Sequence, residues 1–330
     1  MSETVPITTS YLDPATIASV GSIDLRARMI VEGLMTGMHR SPMQGFSVEF
    51  AQHRQYVPGD DTRFLDWKVF GRSDKLYIKQ YLKETNLDLV ILCDASGSMS
   101  YCSPMTRKEL GAGWRKFDHA ATLAAVMAHL ALKQQDRVQI TLFDEDIRTQ
   151  TRLSNARGHW REIVRVLEDA PLPDPDQAAR KLAADPDDGL GRTSLARTFD
   201  RVLSKLTQRS LILLLSDLMD DPEAIEKALA RAHHRRHDVM IVQPLDAAER
   251  DFPFRAPSEF IGLEAEGKLP ISPEALRKAY LETMNRHLEE TDEAAKKFQF
   301  DLMRLSTNEP VGPPLSHFLA RRAAVIGKRT

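Results

Sequence analysis

This sequence contains little cysteine, no large excess of either charge and no long apolar run. Its 330 residues include only two cysteines, Cys93 and Cys102, which excludes a disulfide-stabilised scaffold and fits a reducing compartment. Basic residues number 45 and acidic residues 47, so the chain lacks the positive excess typical of proteins that bind nucleic acid or anionic membranes.

Membrane insertion and export also find no support in the sequence pattern. No apolar stretch approaches the roughly 20 residues of a membrane span. Residues 1–30 mix acidic side chains with apolar ones, unlike a signal peptide. We therefore expect a cytoplasmic protein with no membrane span and no nucleic-acid partner.

The stretch from Leu87 to Ser100 organises the rest of the chain. A short apolar run of strand length, Leu-Val-Ile-Leu-Cys, ends on Asp94 and continues as Ala-Ser-Gly-Ser. This pattern is typical of a buried strand that delivers a loop to the carboxyl edge of a parallel sheet. Open α/β sheets place their sites at that edge.

Strand and helix patterns alternate from Leu87 onward, which predicts an α/β fold with a doubly wound, mostly parallel sheet and helices on both faces. We expect further strands at 137–143, 147–153 (antiparallel), 211–215, 239–245 and 259–263 (an edge strand). We expect helices at 115–133, 160–167, 195–206, 222–234, 273–297 and 315–324. Residues 171–191 are rich in Pro, Asp and Gly, which predicts a loop.

The chain is predicted to divide into three regions. Residues 1–86 hold an N-terminal helix and a small β-containing block, in which Phe46, Val48 and Phe50 alternate as in a strand. Residues 87–250 form the core domain. Residues 251–330 add a strand and helices that complete the core or pack on it.

Three segments would carry side-chain oxygens to one place at the edge of the expected sheet if the strands that end at Asp94 and Asp217 are neighbours. Asp94, Ser96 and Ser98 alternate along the loop after the first strand of the core domain. Asp217 ends the most apolar strand, and Thr193 precedes a helix above the same edge. Oxygen ligands of this kind suit a hard cation such as Mg²⁺. A turn whose side chains bond the backbone is the alternative, but the combination of three segments favours a cation site.

The same residues carry a resemblance. Asp94-Ala95-Ser96-Gly97-Ser98, followed by a distant Thr193 and a distant Asp217, resembles the metal-ion-dependent adhesion site of the von Willebrand factor A domain. The resemblance implies that Asp94, Ser96, Ser98, Thr193 and Asp217 surround Mg²⁺, Mn²⁺ or Ca²⁺, directly or through water. It also implies an open coordination position that an acidic side chain of a partner protein fills.

A narrower resemblance covers most of the chain. Arg54, the run from Tyr56 to Asp61, Arg63 and Asp66-Trp67, followed by an A-type domain, are similar to the bacterial proteins grouped as domain of unknown function 58. Those proteins are commonly encoded beside MoxR-type AAA+ ATPases. The resemblance implies that the chain works with such an ATPase in chaperone-like maturation or assembly of a client complex. Without membrane spans ahead of this block, the chain resembles the family's short cytoplasmic subgroup.

The residues of this family motif are expected to be structural. Paired charges of opposite sign in a compact turn usually satisfy one another, and the aromatic rings are packing anchors rather than ligands. A second metal site or a pair of catalytic acids is the alternative. The motif residues are Arg54, Tyr56, Pro58, Gly59, Asp60, Asp61, Arg63, Asp66 and Trp67.

Two classes of function compete for the Asp94 loop. In the first, which we prefer, the protein is a metal-dependent adaptor without enzymatic activity. In the second, the loop is a metal-dependent hydrolytic or phosphotransfer centre. Against the second, Ser96 stands where a haloacid-dehalogenase-type nucleophile needs another acid, and Ser96 lacks the flanking glycines of a serine-hydrolase elbow. A third hypothesis is an interaction module without a metal. No Gly-rich phosphate loop with lysine occurs, so we do not expect the chain to be an ATPase.

Overall fold

The computed structural model describes residues 13–37, 50–56, 66–73, 75–81, 88–110, 113–144, 146–172, 195–262, 268–312 and 314–316. The helices are α1 (Pro14–Ser19), α2 (Ile23–Gly37), α3 (Trp67–Ser73), α4 (Pro104–Leu110), α5 (Lys116–Lys133), α6 (His159–Glu168), α7 (Leu195–Lys205), α8 (Pro222–His234), α9 (Ala247–Asp251) and α10 (Pro273–Lys297). The strands are β1 (Phe50–Gln55), β2 (Tyr77–Tyr81), β3 (Asp88–Asp94), β4 (Arg137–Phe143), β5 (Ile147–Gln150), β6 (Ser210–Leu215), β7 (Asp238–Leu245), β8 (Ser258–Ile261), β9 (Lys268–Ile271) and β10 (Asp301–Ser306).

A six-stranded sheet with the order β10-β7-β6-β3-β4-β5 forms the centre of the fold. Every neighbouring pair in it is parallel except β4 and β5, which are antiparallel. The predicted α/β class, the mostly parallel sheet and the short antiparallel strand are therefore confirmed. Strands β3 and β6 lie side by side in the middle, so the segments that follow them leave the sheet at neighbouring points.

The two central strands are buried along their whole length because helices cover both faces of the sheet. Successive side chains alternate between the faces. Leu89, Ile91 and Cys93 face the layer of α2, α5 and α6. Val90 and Leu92 face the layer of α7, α8 and α10. The molecule therefore has two apolar cores, one on each side of the sheet.

Small residues let α5 lie close against the sheet. Six alanines on this helix, at positions 120, 121, 124, 125, 128 and 131, are buried together with Phe117 and Leu123. The helix begins with a capping box in which the Asp118 side chain accepts a hydrogen bond from the Arg115 N–H. This cap fixes the position of Lys116, the first residue of the helix.

The N-terminal region agrees in part with its prediction. Asp13 caps α1 and Pro14 occupies its first turn, as the sequence pattern predicts. Strands β1 and β2 pair antiparallel as a two-stranded sheet, which confirms a β-containing block. Helix α3 between them was not predicted; Asp66 precedes it and accepts a hydrogen bond from the Val69 N–H (3.3 Å).

The predicted edge strand at 259–263 is wrong as an edge of the main sheet. Strand β8 instead pairs antiparallel with β9 in a separate two-stranded sheet. The edge of the main sheet is β10, which runs parallel to β7 and which the sequence pattern did not reveal. The polar residues Asp301 and Arg304 interrupt the apolar pattern of β10. An edge strand tolerates such residues because one of its sides has no neighbouring strand.

Several predictions fall outside the described residues. They are the strand positions Phe46 and Val48, most of the 171–191 loop and most of the 315–324 helix. The long helix predicted to end at Lys297 does end there.

Candidate functional site

Strand β3 delivers Asp94 to the carboxyl edge of the sheet, where the side chain is 1% exposed. Its Oδ1 accepts a hydrogen bond from the Ser96 N–H (2.9 Å), and its Oδ2 accepts one from the Ser216 hydroxyl (2.6 Å). Burial and the negative charge of Asp217 raise the pKa of Asp94 to about 7, although the hydrogen bonds from Ser216 and Ser96 act in the opposite direction. Asp94 is therefore a buried carboxyl group that lies close to a second acid.

The serine loop follows β3 directly and is held by local hydrogen bonds. Ser96 and Ser98 place their hydroxyl oxygens 3.1 Å apart, and a 3-10 turn begins at Ser98. The Ser100 hydroxyl donates to the Gly97 carbonyl (2.6 Å), which holds the turn. The two predicted serine oxygens thus lie together beside Asp94.

Asp217 follows β6, the neighbour of β3, and is 1% exposed. Its Oδ1 accepts a hydrogen bond from the Met219 N–H (3.3 Å). The next residue, Leu218, has a φ of 55°, an uncommon value for a branched side chain. The Leu218 N–H donates to the Ser216 hydroxyl (3.0 Å), and its carbonyl lies 2.8 Å from His287 Nε2. An uncommon backbone conformation that hydrogen bonds hold in place, as at Leu218, occurs often at functional sites.

A small pocket lies between these elements. Its volume is about 10 Å³, the size of one water molecule or one small ion. Its lining residues are Asp94, Ser98, Leu195, Ser216, Asp217, Leu218, Met219 and Asp220. The structure therefore brings together, around one point, Asp94, Ser98 and Asp217, with Ser96 hydrogen-bonded beside them.

A fully buried lysine lies behind Asp217. Lys116 Nζ contacts Asp217 Oδ2 at 2.7 Å and Glu249 Oε1 at 2.6 Å, and it lies 6.0 Å from the centre of the Tyr101 ring. Burial acts to lower the pKa of Lys116, but the two carboxylates overcome it and the pKa is raised. Lys116 is therefore a permanent positive charge beside the pocket.

Glu249 connects this lysine to the helices that surround the site. Burial raises the pKa of Glu249, Lys116 acts to lower it, and Asp217 raises it again. Its other carboxylate oxygen accepts a hydrogen bond from the Asp246 N–H (2.8 Å), and the Tyr280 hydroxyl donates to its backbone carbonyl (2.9 Å). Asp246 in turn accepts hydrogen bonds from the Ser103 N–H and the Thr106 hydroxyl, just beyond the serine loop.

Thr193, the fifth predicted ligand, lies outside the described residues. Leu195, two positions later, lines the pocket, and its N–H donates to Asp220 Oδ2 (3.2 Å). Of the family-motif residues, Pro58, Gly59, Asp60, Asp61 and Arg63 also lie outside the described residues.

The described part of the family motif has structural contacts. Arg54 lies in β1 and Trp67 begins α3. Tyr56 N–H donates to the Leu76 carbonyl (2.9 Å), and Asp66 N–H donates to the Tyr77 carbonyl (2.8 Å). These bonds extend the pairing of β1 and β2 toward α3.

Sequence reasoning missed Ser216, Lys116 and Glu249. Ser216 stood next to a predicted ligand, but its hydrogen bond to Asp94 depends on strand order. Lys116 could have been noticed as a cationic residue at the start of an otherwise apolar helix face. Nothing in the sequence pairs it with Glu249, which lies 133 positions away.

The donor set fits a hard cation. It offers carboxylate and hydroxyl oxygens around a pocket of the right size, and the Met219 thioether at the rim is the one soft donor among the described lining side chains. Within the described ranges, no group of three or more His, Cys, Asp or Glu side chains is placed to hold a metal. An ion here would therefore depend on two aspartates, on serine hydroxyls and on water.

Among the residues that the structure describes, no helix is long and apolar enough to cross a membrane.

Two solved structures resemble the chain at low similarity. BatB from Bacteroides thetaiotaomicron, described as a conserved hypothetical protein, matches with a TM-score of 0.46 and 12% identity over 73% of this chain and 99% of that one. An aerotolerance-related membrane protein from Bacteroides fragilis matches with a TM-score of 0.43 and 12% identity over 71% of this chain and 99% of that one. At these scores the likeness supports no statement about this chain.

Sequence comparison is more informative. Uncharacterized proteins of Mycobacterium bovis and Mycobacterium tuberculosis are each 22% identical to the chain over 241 residues, which is 73% of this chain and 68% of the relative. A family model matches residues 52–290, a range that begins in β1, contains the described parts of the pocket and ends within α10. The chain belongs to the family described as protein of unknown function DUF58.

Proposed function

We propose that the protein is a divalent-cation-dependent adaptor that binds an acidic side chain of a partner protein through the ion. The observation that supports this most is the meeting of Asp94, Ser98 and Asp217 around one pocket at the carboxyl edge of β3 and β6. The resemblance of these residues to the adhesion site of von Willebrand factor A domains supports the same proposal. Mg²⁺ is the preferred ion, with Mn²⁺ or Ca²⁺ as alternatives.

The local charge favours a bound cation. Asp94 and Asp217 are both almost fully buried and repel each other, as the raised pKa of Asp94 indicates. Lys116 contacts Asp217. Within the described residues, no basic side chain forms an ion pair with Asp94. A divalent ion in the pocket would supply the positive charge that Asp94 lacks.

The proposed partner is a MoxR-type AAA+ ATPase, and the proposed role is chaperone-like maturation or assembly of a client complex in the cytoplasm. This part of the proposal rests on the resemblance to the cytoplasmic members of the family. The apolar Met219 at the rim of the pocket is 39% exposed, so a partner's acidic residue would meet an apolar surface beside the ion.

Chemistry at Asp94 is the weaker candidate. Both carboxylate oxygens already accept hydrogen bonds, from Ser96 and Ser216. The described residues that line the pocket include no histidine, cysteine or lysine that could serve as a proton carrier or nucleophile.

Titration calorimetry with Mg²⁺, Mn²⁺ and Ca²⁺ tests the proposal. We expect the wild-type chain to bind at least one of these ions and to bind a purified MoxR-type ATPase only when the ion is present. Asp94→Asn should abolish both, because an amide supplies no charge to the ion. The folded state should survive this change, since the asparagine oxygen still accepts from the Ser96 N–H, its NH₂ group can donate to the Ser216 hydroxyl oxygen, and the repulsion with Asp217 is removed.

Asp251→Asn is the matched control, because Asp251 is an exposed acid at the end of α9. It should leave ion and ATPase binding unchanged. The proposal is wrong if the wild-type chain binds none of the three ions, or if Asp94→Asn binds the ATPase as well as the wild type does.

A further inference from the structure

Lys116 is a charged side chain that the described structure buries completely. Its ammonium group lies between Asp217 Oδ2 and Glu249 Oε1 at 2.7 and 2.6 Å. The Arg115–Asp118 capping box fixes the turn of α5 that carries it, and the Lys116 N–H also donates to the Tyr101 carbonyl (3.1 Å). Both the backbone and the charged end of this lysine are therefore held in place.

The position of this charge affects any ion in the pocket. Asp217 presents Oδ2 to Lys116, and its Oδ1 accepts only the long bond from the Met219 N–H among the described contacts. A carboxylate that already contacts an ammonium group attracts a second cation less strongly. The same ammonium group keeps Asp217 from being an uncompensated buried charge when no ion is bound.

We propose that Lys116 is a resident cation that partly replaces the divalent ion at Asp217, so that the site stays folded without its ion and binds the ion weakly enough to release it. This inference rests on the proposed function, since it concerns the affinity of the same pocket. Lys116 is a positioning residue in this role: it contacts a ligand of the ion rather than the ion itself.

In a variant without the Lys116 charge, the proposed role predicts tighter Mg²⁺ binding together with lower thermal stability. A purely structural role does not predict this combination. In Lys116→Met the pocket gains net negative charge. We therefore expect the dissociation constant for Mg²⁺ to fall about tenfold or more, while the melting temperature in chelator falls because Asp217 and Glu249 lose their partner. A purely structural lysine would give lower stability together with weaker ion binding.

Glu249→Gln changes the charge in the other direction and keeps a hydrogen-bond acceptor for Lys116. It removes one negative charge near the pocket, so we expect Mg²⁺ to bind about tenfold more weakly. Lys116→Arg preserves the charge and should bind Mg²⁺ nearly as the wild type does. Lys133→Met, at the exposed end of the same helix, is the matched control for the loss of a lysine. It should change neither the dissociation constant for Mg²⁺ nor the melting temperature.

The measurements are calorimetric titration of the full chain with MgCl₂ and thermal unfolding with and without chelator. If Lys116→Met binds Mg²⁺ no more tightly than the wild type, the inference is wrong although the proposed ion site stands. If Lys116→Met fails to fold, Glu249→Gln decides: unchanged or tighter Mg²⁺ binding overturns the inference. If the wild type binds no Mg²⁺, Mn²⁺ or Ca²⁺, the proposed function and this inference fail together.

Discussion

His119 is fully buried in α5, and no described residue offers a hydrogen-bond partner to either of its ring nitrogens. Its ring meets the ring of Trp114 edge to face, with the centroids 6.2 Å apart. Burial lowers the pKa of His119 from 6.5 to about 4. The neutral ring is therefore the form that the folded protein accepts.

The pKa of His119 predicts how stability depends on pH. Because the folded pKa lies below the unfolded value, the unfolded chain takes up the proton first as the pH falls. The free energy of unfolding that comes from the neutral His119 ring is fully present above pH 6.5. It is lost progressively as the pH falls toward 4, by up to about 3 kcal/mol. Chemical denaturation across this pH range should show the loss. His119→Met should flatten the curve, whereas the exposed His234→Gln should not.

The residues of the candidate site divide into those that sequence reasoning can find and those that it cannot. Asp94, Ser96, Ser98 and Asp217 were predicted because each lies at or just after the end of an apolar strand, a position that the sequence displays directly. Lys116 and Glu249 were not, because their roles depend on how helices far apart in the chain pack beside the pocket.

Strand β10 shows how one residue attaches an edge strand to a helix. Arg304 donates to Gln243 Oε1 on β7 (2.9 Å), to Asp292 Oδ2 (2.9 Å) and to the Leu288 carbonyl on α10 (2.6 Å). Gln243 in turn donates to the Asp217 carbonyl (2.7 Å). The outer strand is thus connected through β7 to the residue that faces the pocket.

Removal of the Arg304 side-chain charge should loosen this edge. We expect Arg304→Met to lower the free energy of unfolding by about 2 kcal/mol, because it leaves the Gln243 and Leu288 acceptors without their donor. Urea denaturation measures this change. Arg286→Met, at an exposed position of α10, is the control and should change stability by less than about 0.5 kcal/mol. Equal effects of the two substitutions would contradict the role assigned to Arg304.

The strands that the sequence displays most clearly are the central ones, which have helices on both faces. Strand β6 is buried at every position, so its apolar run is continuous and easy to recognise. Strand β10 carries polar residues at Asp301 and Arg304, and it follows a long helix directly, so its short pattern resembles a helix end. The polar positions and the long helix immediately before it, rather than edge position alone, concealed β10, since the other edge strand, β5, was predicted.

The sheet divides the whole molecule into two cores, and stability depends on both. Leu92 on β3 is fully buried among residues of α7 and α8, on the face away from α5. We expect Leu92→Ala to cost about 2–5 kcal/mol, through lost burial and the cavity that remains. Leu25→Ala, at a side chain that is 50% exposed on α2, should cost far less. Thermal or urea unfolding of both variants compares the two, and similar losses would argue against the two-layer core.

The overall architecture was accessible from sequence because strand and helix periodicity recur in order from β3 to β7. The pairing of β3 with β6 was not, since it requires the chain to return to the first strand after β4 and β5 have been added on the other side. Strand order follows from packing of whole layers, which no local pattern contains.

The pairing of β6 with β3, which are far apart in the chain, has a consequence for how the protein is synthesised and folds. The hydrogen bond from Ser216 to Asp94 joins residues 122 positions apart. At ribosomal rates of roughly 5–20 residues per second, Asp94 leaves the ribosome about ten seconds before its partner strand exists. During that interval only the β3 side of the pocket exists, so no cation can contact Asp94 and Asp217 together. The proposed ion would therefore bind only after the sheet has formed. Because it would stabilise only the folded state, the ion would slow unfolding more than it would speed folding.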